Sequence, residues 1–159
     1  MSERRVINIA DVPMNLILGG RRFAAQAGLA GPEIGSTGIG CSVFDVPPGM
    51  SACPFHRHHA THELFFVLEG EGETRLDEAR LPIRPGDLIA APAGKEAHQI
   101  VNTGTTNLRY LAFSAEGPAD IVEYPDSGKL MIEAGTWPNR SIELLGRLVP
   151  AEYYDGEEA

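Results

Sequence analysis

Apolar and polar side chains alternate in short runs along the middle of this 159-residue chain. The first clear run begins at about Thr37 and is ended by Pro47, Pro48 and Gly49. Further runs, separated by turn residues, occupy residues 51–58, 63–69, 73–76, 81–83, 88–91, 98–102 and 108–114. Period-two alternation is typical of strands with one buried face, and a turn about every 8–12 residues is typical of an antiparallel sandwich or barrel. The pattern therefore predicts an all-β fold.

The periodicity weakens toward both ends of the chain. Residues 1–36 mix an apolar patch with glycines that fit neither a GxGxxG nor a GxxxxGK phosphate loop. After Ser114, residues 124–129 indicate a loop, and residues 141–149 fit either a short helix or a strand. Because no linker or repeat interrupts the chain, we predict one domain over 1–159. Its core barrel spans about 37–114, its N-terminal arm 1–36 and its C-terminal extension 115–159.

Composition and charge exclude some classes of function. Apolar residues make up 43% of the chain and charged residues 22%, which is ordinary for a soluble globular protein. The net charge of −9 gives no electrostatic support for nucleic-acid binding. No apolar run approaches the ~20 residues that cross a bilayer, and no secretory signal follows Met1. Two cysteines, Cys41 and Cys53, offer no disulfide framework, so we expect a cytoplasmic protein without membrane or nucleic-acid partners.

All five histidines of the chain lie in two short segments. They are His56, His58, His59 and His62 in the first, and His98 in the second. If strand alternation holds, His56 and His58 share a face, Glu63 faces inward from the next strand, and His98 faces inward from a third. Three neutral imidazoles and one carboxylate leave open positions on a six-coordinate Fe²⁺, Mn²⁺ or Ni²⁺ ion, and they also suit Zn²⁺. The sequence therefore predicts a divalent transition-metal site.

The two histidine segments resemble the paired motifs of the cupin superfamily. The HxHxxxxE spacing at 56–63, followed by Val67-Leu68-Glu69-Gly70, is similar to the first motif. Pro85-Gly86-Asp87 and Pro92-Ala93-Gly94, followed by His98 and Asn102, are similar to the second motif. Each motif carries one extra residue, between Gly49 and His56 and between Gly94 and His98, in a predicted turn.

The resemblance implies a double-stranded β-helix, or jelly-roll, barrel of six to eight strands with a metal at its mouth. It also implies that His56, His58, Glu63 and His98 occupy ligand positions. Less directly, it implies a homodimer built by paired or exchanged N-terminal strands.

The neighbours of these four residues have more open interpretations. Alternation places Phe65, Val67 and Ile100 on the metal side as an apolar pocket wall, and Asn102 either orients a ligand or ends a turn. His59 and His62 are predicted to face away from the metal. A bulge could turn His62 inward, and no carboxyl besides Glu63 is evident as a base, so His62 is the best candidate for acid–base catalysis.

Two functions follow from these predictions. The first is a metal-dependent enzyme that chelates a small polar substrate, since similar cupins include sugar-phosphate isomerases, oxalate-type decarboxylases and dioxygenases. The second is a non-catalytic module that uses the same metal to hold a small ligand.

Overall fold

The computed structural model describes residues 4–115, 117–136 and 139–157. These residues form thirteen strands, a 3₁₀ helix at Ile9–Asp11 and a four-residue helix α1 at Ala30–Glu33. The strands are β1 Asn15–Gly19, β2 Phe23–Leu29, β3 Ile39–Val46, β4 Arg57–His58, β5 His62–Glu69, β6 Gly72–Leu76, β7 Ala79–Ile83, β8 Leu88–Ala91, β9 His98–Val101, β10 Leu108–Ala115, β11 Ala119–Tyr124, β12 Lys129–Thr136 and β13 Asn139–Gly146. Neither helical segment of the described residues is long enough to cross a bilayer.

The strands form one large sheet and two smaller ones. The large sheet has the order β1-β2-β3-β10-β5-β8, and the smaller sheets have the orders β13-β12-β11-β4 and β7-β6-β9. A two-way backbone bridge joins the smaller sheets, because the amides of His56 and His98 each donate to the other's carbonyl, at 3.1 and 2.7 Å. The result is the double-sheet barrel that the resemblance implied.

The hydrophobic core lies between the large sheet and the three-stranded sheet β7-β6-β9. Val46, Val67, Leu108 and Tyr110 of the large sheet pack there with Ile100 of β9. These side chains come from alternate strand positions, so each strand keeps its other face for solvent or for a neighbouring layer.

Most predicted strands are confirmed, and the differences lie outside the central barrel. The arm at 1–36 supplies the hairpin β1–β2, which extends the large sheet. Residues 141–149, left open between helix and strand, lie mainly in β13, which pairs with β12. The predicted strand at 51–58 is mostly irregular, because only Arg57 and His58 pair as a strand, and Ser51 and His56 make isolated bridges.

Candidate metal centre

Three strand regions bring His56, Glu63 and His98 to one point. Glu63 projects from β5 of the large sheet, His98 from β9, and His56 stands just before β4. The Oε2 of Glu63 lies 2.8 Å from Nε2 of His98 and 3.6 Å from Nε2 of His56. One ligand atom from each residue lies within 4.8 Å of the other two. Ligands held at ~2.1 Å from one ion are ~3–4.2 Å apart, so these separations suit a shared metal.

His58 is the fourth member of the cluster. Its Nε2 lies 3.4 Å from Glu63 Oε2, although it is outside the set of three whose atoms all lie within 4.8 Å. Its Nδ1 lies 2.6 Å from Oδ2 of Asp120, on β11. Because a carboxylate accepts, this contact places the proton on Nδ1 and leaves the Nε2 lone pair facing Glu63.

His56 is oriented in a similar way. Its Nδ1 donates to the carbonyl oxygen of Pro54 at 2.7 Å, so its Nε2 also presents a lone pair to the cluster. Meanwhile Arg57, between the two histidines, points to the opposite side and pairs with Glu123. The predicted alternation of this segment is therefore confirmed.

The electrostatics of the cluster favour the protonation states that bind a metal. Burial alone would raise the pKa of Glu63, but its contacts with the imidazoles of His56, His98 and His58 hold it well below its usual range. Burial lowers the pKa of His98, although contact with Glu63 opposes this shift. An ionised carboxylate and a neutral imidazole are the forms that coordinate divalent ions.

A polar cavity of about 120 Å³ opens beside the cluster. Its lining residues are His58, Thr61, Glu63, Ser114, Gly117, Asp120, Glu133 and Arg140. Two of these, Asp120 and Glu133, are carboxyls that the sequence analysis did not identify. The sequence indicated no clear base besides Glu63, and the structure adds these two carboxyls to the cavity lining.

A signal for both missed carboxyls exists in the sequence. Glu133 interrupts the apolar run 130–134, and Asp120 immediately precedes Ile121 and Val122. A lone acidic residue inside an apolar strand must be buried or at an interface, and buried charges are usually paired. The weak periodicity after Ser114 concealed this signal.

The predicted apolar wall lies behind the cluster rather than around the cavity. Phe65 is buried with its ring centroid 5.5 Å from that of His98, and Val67 and Ile100 belong to the core. The Asn102 amide donates to the carbonyls of Val46 and Thr106, both at 2.8 Å, and its Oδ1 accepts from the Gly104 amide. Of the two interpretations left open for Asn102, these bonds favour the turn.

His59 and His62 lie outside the cluster. The Nε2 of His59 is 3.1 Å from Oε1 of Glu123 at the surface. The exposed His62 accepts a hydrogen bond from the Ala93 amide at its Nδ1, on the face of β5 opposite Glu63. No bulge turns His62 toward the cavity, so its predicted catalytic role has no support from its position.

The donor set fits a divalent ion. Three imidazole nitrogens and one carboxylate oxygen converge from the three sheets, two of the imidazoles have a hydrogen-bond partner at Nδ1, and a cavity leaves space for further ligands. The ligands most consistent with this geometry are His56, Glu63 and His98, with His58 completing the set.

Comparison with known proteins agrees with the fold. The chain is 39% identical to the oxalate-binding protein of Thermotoga maritima over 67 residues, which make up 42% of this chain and 54% of that protein. The chain therefore spans about half the length of the curated relatives it matches.

Two solved structures cover nearly the whole chain. A protein from Acidithiobacillus ferrooxidans superposes with a TM-score of 0.79 at 23% identity, covering 93% of this chain and 98% of that one. A sugar phosphate isomerase of a cupin superfamily, from Silicibacter pomeroyi, gives a TM-score of 0.78 at 21% identity, covering 89% and 92%.

The family model described as a cupin domain matches residues 42–114, the segment that carries both histidine motifs. Residues 42–114 are therefore identified as a cupin domain, in agreement with the resemblance of the two histidine motifs.

Proposed function

We propose that this protein is a divalent-metal-dependent enzyme that acts on a small polar substrate. One observation carries the proposal: Glu63 Oε2 lies within 3.6 Å of an Nε2 of His56, His58 and His98, and the group borders a polar cavity. Such a site can hold an ion and still admit a substrate oxygen.

A bound divalent ion would polarise a carbonyl or hydroxyl oxygen of the substrate and stabilise negative charge on it. The residues that would hold the ion are the three imidazoles of His56, His58 and His98 and the Glu63 carboxylate. Asp120 fixes the tautomer and ring orientation of His58. Phe65 and the core behind it exclude water from one side, which strengthens electrostatic interactions within the site.

We propose Glu133 as the acid–base residue. Its side chain is 11% exposed and lines the cavity. Burial raises the pKa of this carboxyl, and the nearby Arg140 opposes that shift without cancelling it. A carboxyl with a raised pKa can exchange a proton with substrate near neutral pH more readily than an ordinary glutamate. We therefore assign the acid–base role to Glu133 rather than to His62, because Glu133 lines the cavity and His62 does not.

The alternative function is a non-catalytic module that holds a small ligand through the metal. The relationship to an oxalate-binding protein supports this alternative. Both functions require the same ion, so turnover alone separates them.

The test begins with elemental analysis of the purified protein. Metal-loaded protein is then incubated with sugar phosphates, keto acids and oxalate, with and without air. A matched pair of variants on β5 controls for background: Glu63→Gln removes a ligand, whereas Glu69→Gln changes a carboxylate that is 71% exposed. Product that depends on Glu63 but not on Glu69 supports an enzyme. Metal and saturable binding without product supports the module, and the absence of any bound metal would contradict both.

We also propose that the protein is a homodimer formed through β1. This strand is the edge of the large sheet, and it exposes Leu16 and Leu18 at 62% and 71%. An exposed apolar edge strand readily pairs with another chain, and a second copy offers the same edge. Sedimentation should show a dimer that Leu18→Lys dissociates, whereas Leu81→Lys, at an exposed site on β7, should not change it. A monomeric native protein would contradict this proposal.

A further inference from the structure

We propose that Arg140 anchors the carboxylate of a short hydroxy acid or keto acid, whose second oxygen reaches the metal. This inference rests on the proposed function, because it names the substrate class of the same site. Four features carry it: a bulge that directs Arg140 inward, an arginine donor set that is only partly used, a charge balance that requires the metal, and a small cavity.

The bulge lies in the hairpin β12–β13. Glu133 pairs with Glu143 and Ala134 with Ile142, but Gly135 then pairs with Arg140, so Ser141 is an extra residue on β13. Glu133 and Gly135 are two residues apart on β12, so they share a face of the sheet. Arg140 is directly opposed to Gly135 and therefore lies on that face too. Without Ser141, alternation would turn Arg140 to the other side.

Gly135 is the residue that permits this bulge. Its φ is +94°, and a Cβ at this position would lie 2.8 Å from the Ser141 amide nitrogen. Position 135 therefore requires glycine, because its φ is positive and a side chain would have no space. The bulge that this glycine permits determines the direction of Arg140.

Two carboxyls lie on this face, and each has a different side-chain partner. Asp120 and Glu133 are opposed across β11 and β12, an arrangement that like charges normally disfavour. His58 holds Asp120, and Nη1 of Arg140 lies 2.9 Å from Oε2 of Glu133. Glu133 is the one partner of Arg140 among the described residues, and a guanidinium has five donors. Arg140 lines the cavity, where a carboxylate could accept two of its remaining donors in parallel.

Charge and size restrict the substrate. Among the described residues, the charged groups lining the cavity are the carboxylates of Glu63, Asp120 and Glu133 and the guanidinium of Arg140. The net negative charge of these groups repels an anion. A bound divalent ion would neutralise that charge, and the cavity could then accept a monoanion. A volume of about 120 Å³ holds about four water molecules at ~30 Å³ each. This space suits an acid of about two to four carbons and is small for a sugar phosphate.

Isothermal titration of the Mn²⁺-loaded protein with glycolate tests the inference. Ethylene glycol serves as the uncharged probe of similar shape, and inorganic phosphate as the competing anion. The variants are Arg140→Gln, Arg140→Lys and the matched control Arg147→Gln, which changes an exposed arginine that follows β13 and donates to the Ser127 carbonyl. Mn²⁺ affinity is measured separately for every variant.

We expect glycolate to bind the native protein, more tightly than phosphate does, and ethylene glycol not to compete. Arg140→Gln should weaken glycolate about 10–100-fold with Mn²⁺ affinity changed less than about threefold, since a hydrogen bond to a charged group contributes about this factor. Arg140→Lys should lose about 3–10-fold, because it keeps the charge without the fork. If Arg140→Gln does not fold, the lysine variant decides. Unchanged glycolate binding in either folded variant, or tighter binding of phosphate, would overturn the inference and leave the proposed metal site intact. Failure of the native protein to bind Mn²⁺, Fe²⁺, Ni²⁺ or Zn²⁺ would instead overturn the proposed function.

Discussion

Nδ1 of His58 and Oδ2 of Asp120 are 2.6 Å apart, although 62 positions separate the two residues in the chain. Burial would raise the pKa of Asp120, but hydrogen bonds from His58, the Ala60 amide and Thr61 hold it below its usual range. The carboxylate is therefore ionised and fixes the imidazole with Nε2 free.

Replacing this carboxylate should weaken the metal site without removing a ligand. We expect Asp120→Asn to lower metal affinity about 10–100-fold, the usual cost of losing a carboxylate that orients a ligand histidine. Chelator competition measures it. Asp126→Asn, in an exposed turn on the same hairpin, is the control and should change affinity less than twofold. Equal affinities in the two variants would mean that His58 needs no such orientation.

The stability of the metal-free protein should depend on Glu63 in acid. Its folded pKa lies below the unfolded value of about 4.3, so the folded state binds the proton less readily than the unfolded state. The contribution is present above pH ~4.3 and is lost as the pH falls toward the folded pKa. Urea unfolding between pH 6 and pH 3 should show a decline on the order of 2 kcal/mol that is smaller in Glu63→Gln. Glu69→Gln should decline like the native protein, and a native profile in Glu63→Gln would contradict the assignment.

Metal affinity should also decrease as the pH is lowered, and this decrease should begin at a higher pH than the loss of stability. The ligands bind as neutral imidazoles, and an ordinary histidine takes up a proton below about pH 6.5. Titration of the metal at a series of pH values should show affinity decreasing below that point. Occupancy unchanged down to strongly acidic pH would indicate that these histidines do not hold the ion.

Glu133 and His62 make opposite predictions for turnover. Once a substrate is found, Glu133→Gln should lower kcat by about 10²–10⁴-fold with a small change in KM, because the amide can still accept from Arg140 but cannot carry the proton. His62→Ala should stay within about twofold of the native rate, given its position on the outer face of β5. A large loss in His62→Ala with full activity in Glu133→Gln would return the catalytic role to the histidine.

The turn between β5 and β6 gives a prediction about folding. Gly70 has a φ of +78°, and a Cβ there would collide with the carbonyl oxygen of Asn107. We expect Gly70→Ala to destabilise the protein by about 2–5 kcal/mol, from backbone strain plus overpacking. Gly86 has a φ of +94°, but a Cβ there would lie in open space. Gly86→Ala should therefore lower the free energy of unfolding by only about 1 kcal/mol. Thermal or urea unfolding compares the stability of the two variants. Similar destabilisation would show that the contact with the Asn107 carbonyl oxygen does not account for the cost at position 70.

The barrel and the four candidate ligands could be predicted from sequence because their signals are local. Strand alternation assigns His56, His58, Glu63 and His98 to inward faces without knowledge of the fold. The resemblance to cupin motifs covers the same segments. The cytoplasmic location, the single-domain boundaries and the dimer remain predictions.

The cavity could not be predicted in the same way because its other residues depend on non-local pairing. Asp120 reaches His58 only after β11 pairs with β4, and Arg140 reaches Glu133 only through a bulge whose register alternation cannot reveal. Asn102 is buried, and its amide donates to backbone groups that only the folded turn supplies.

The backbone bridge between His56 and His98 has a consequence for how an ion would enter. Two candidate ligands are already held together by main-chain hydrogen bonds that need no ion. Part of the ordering entropy is thus lost during folding rather than on coordination, which favours tighter binding of the ion. Chelation should therefore strip this protein without unravelling it, unlike small domains whose shape depends on their zinc.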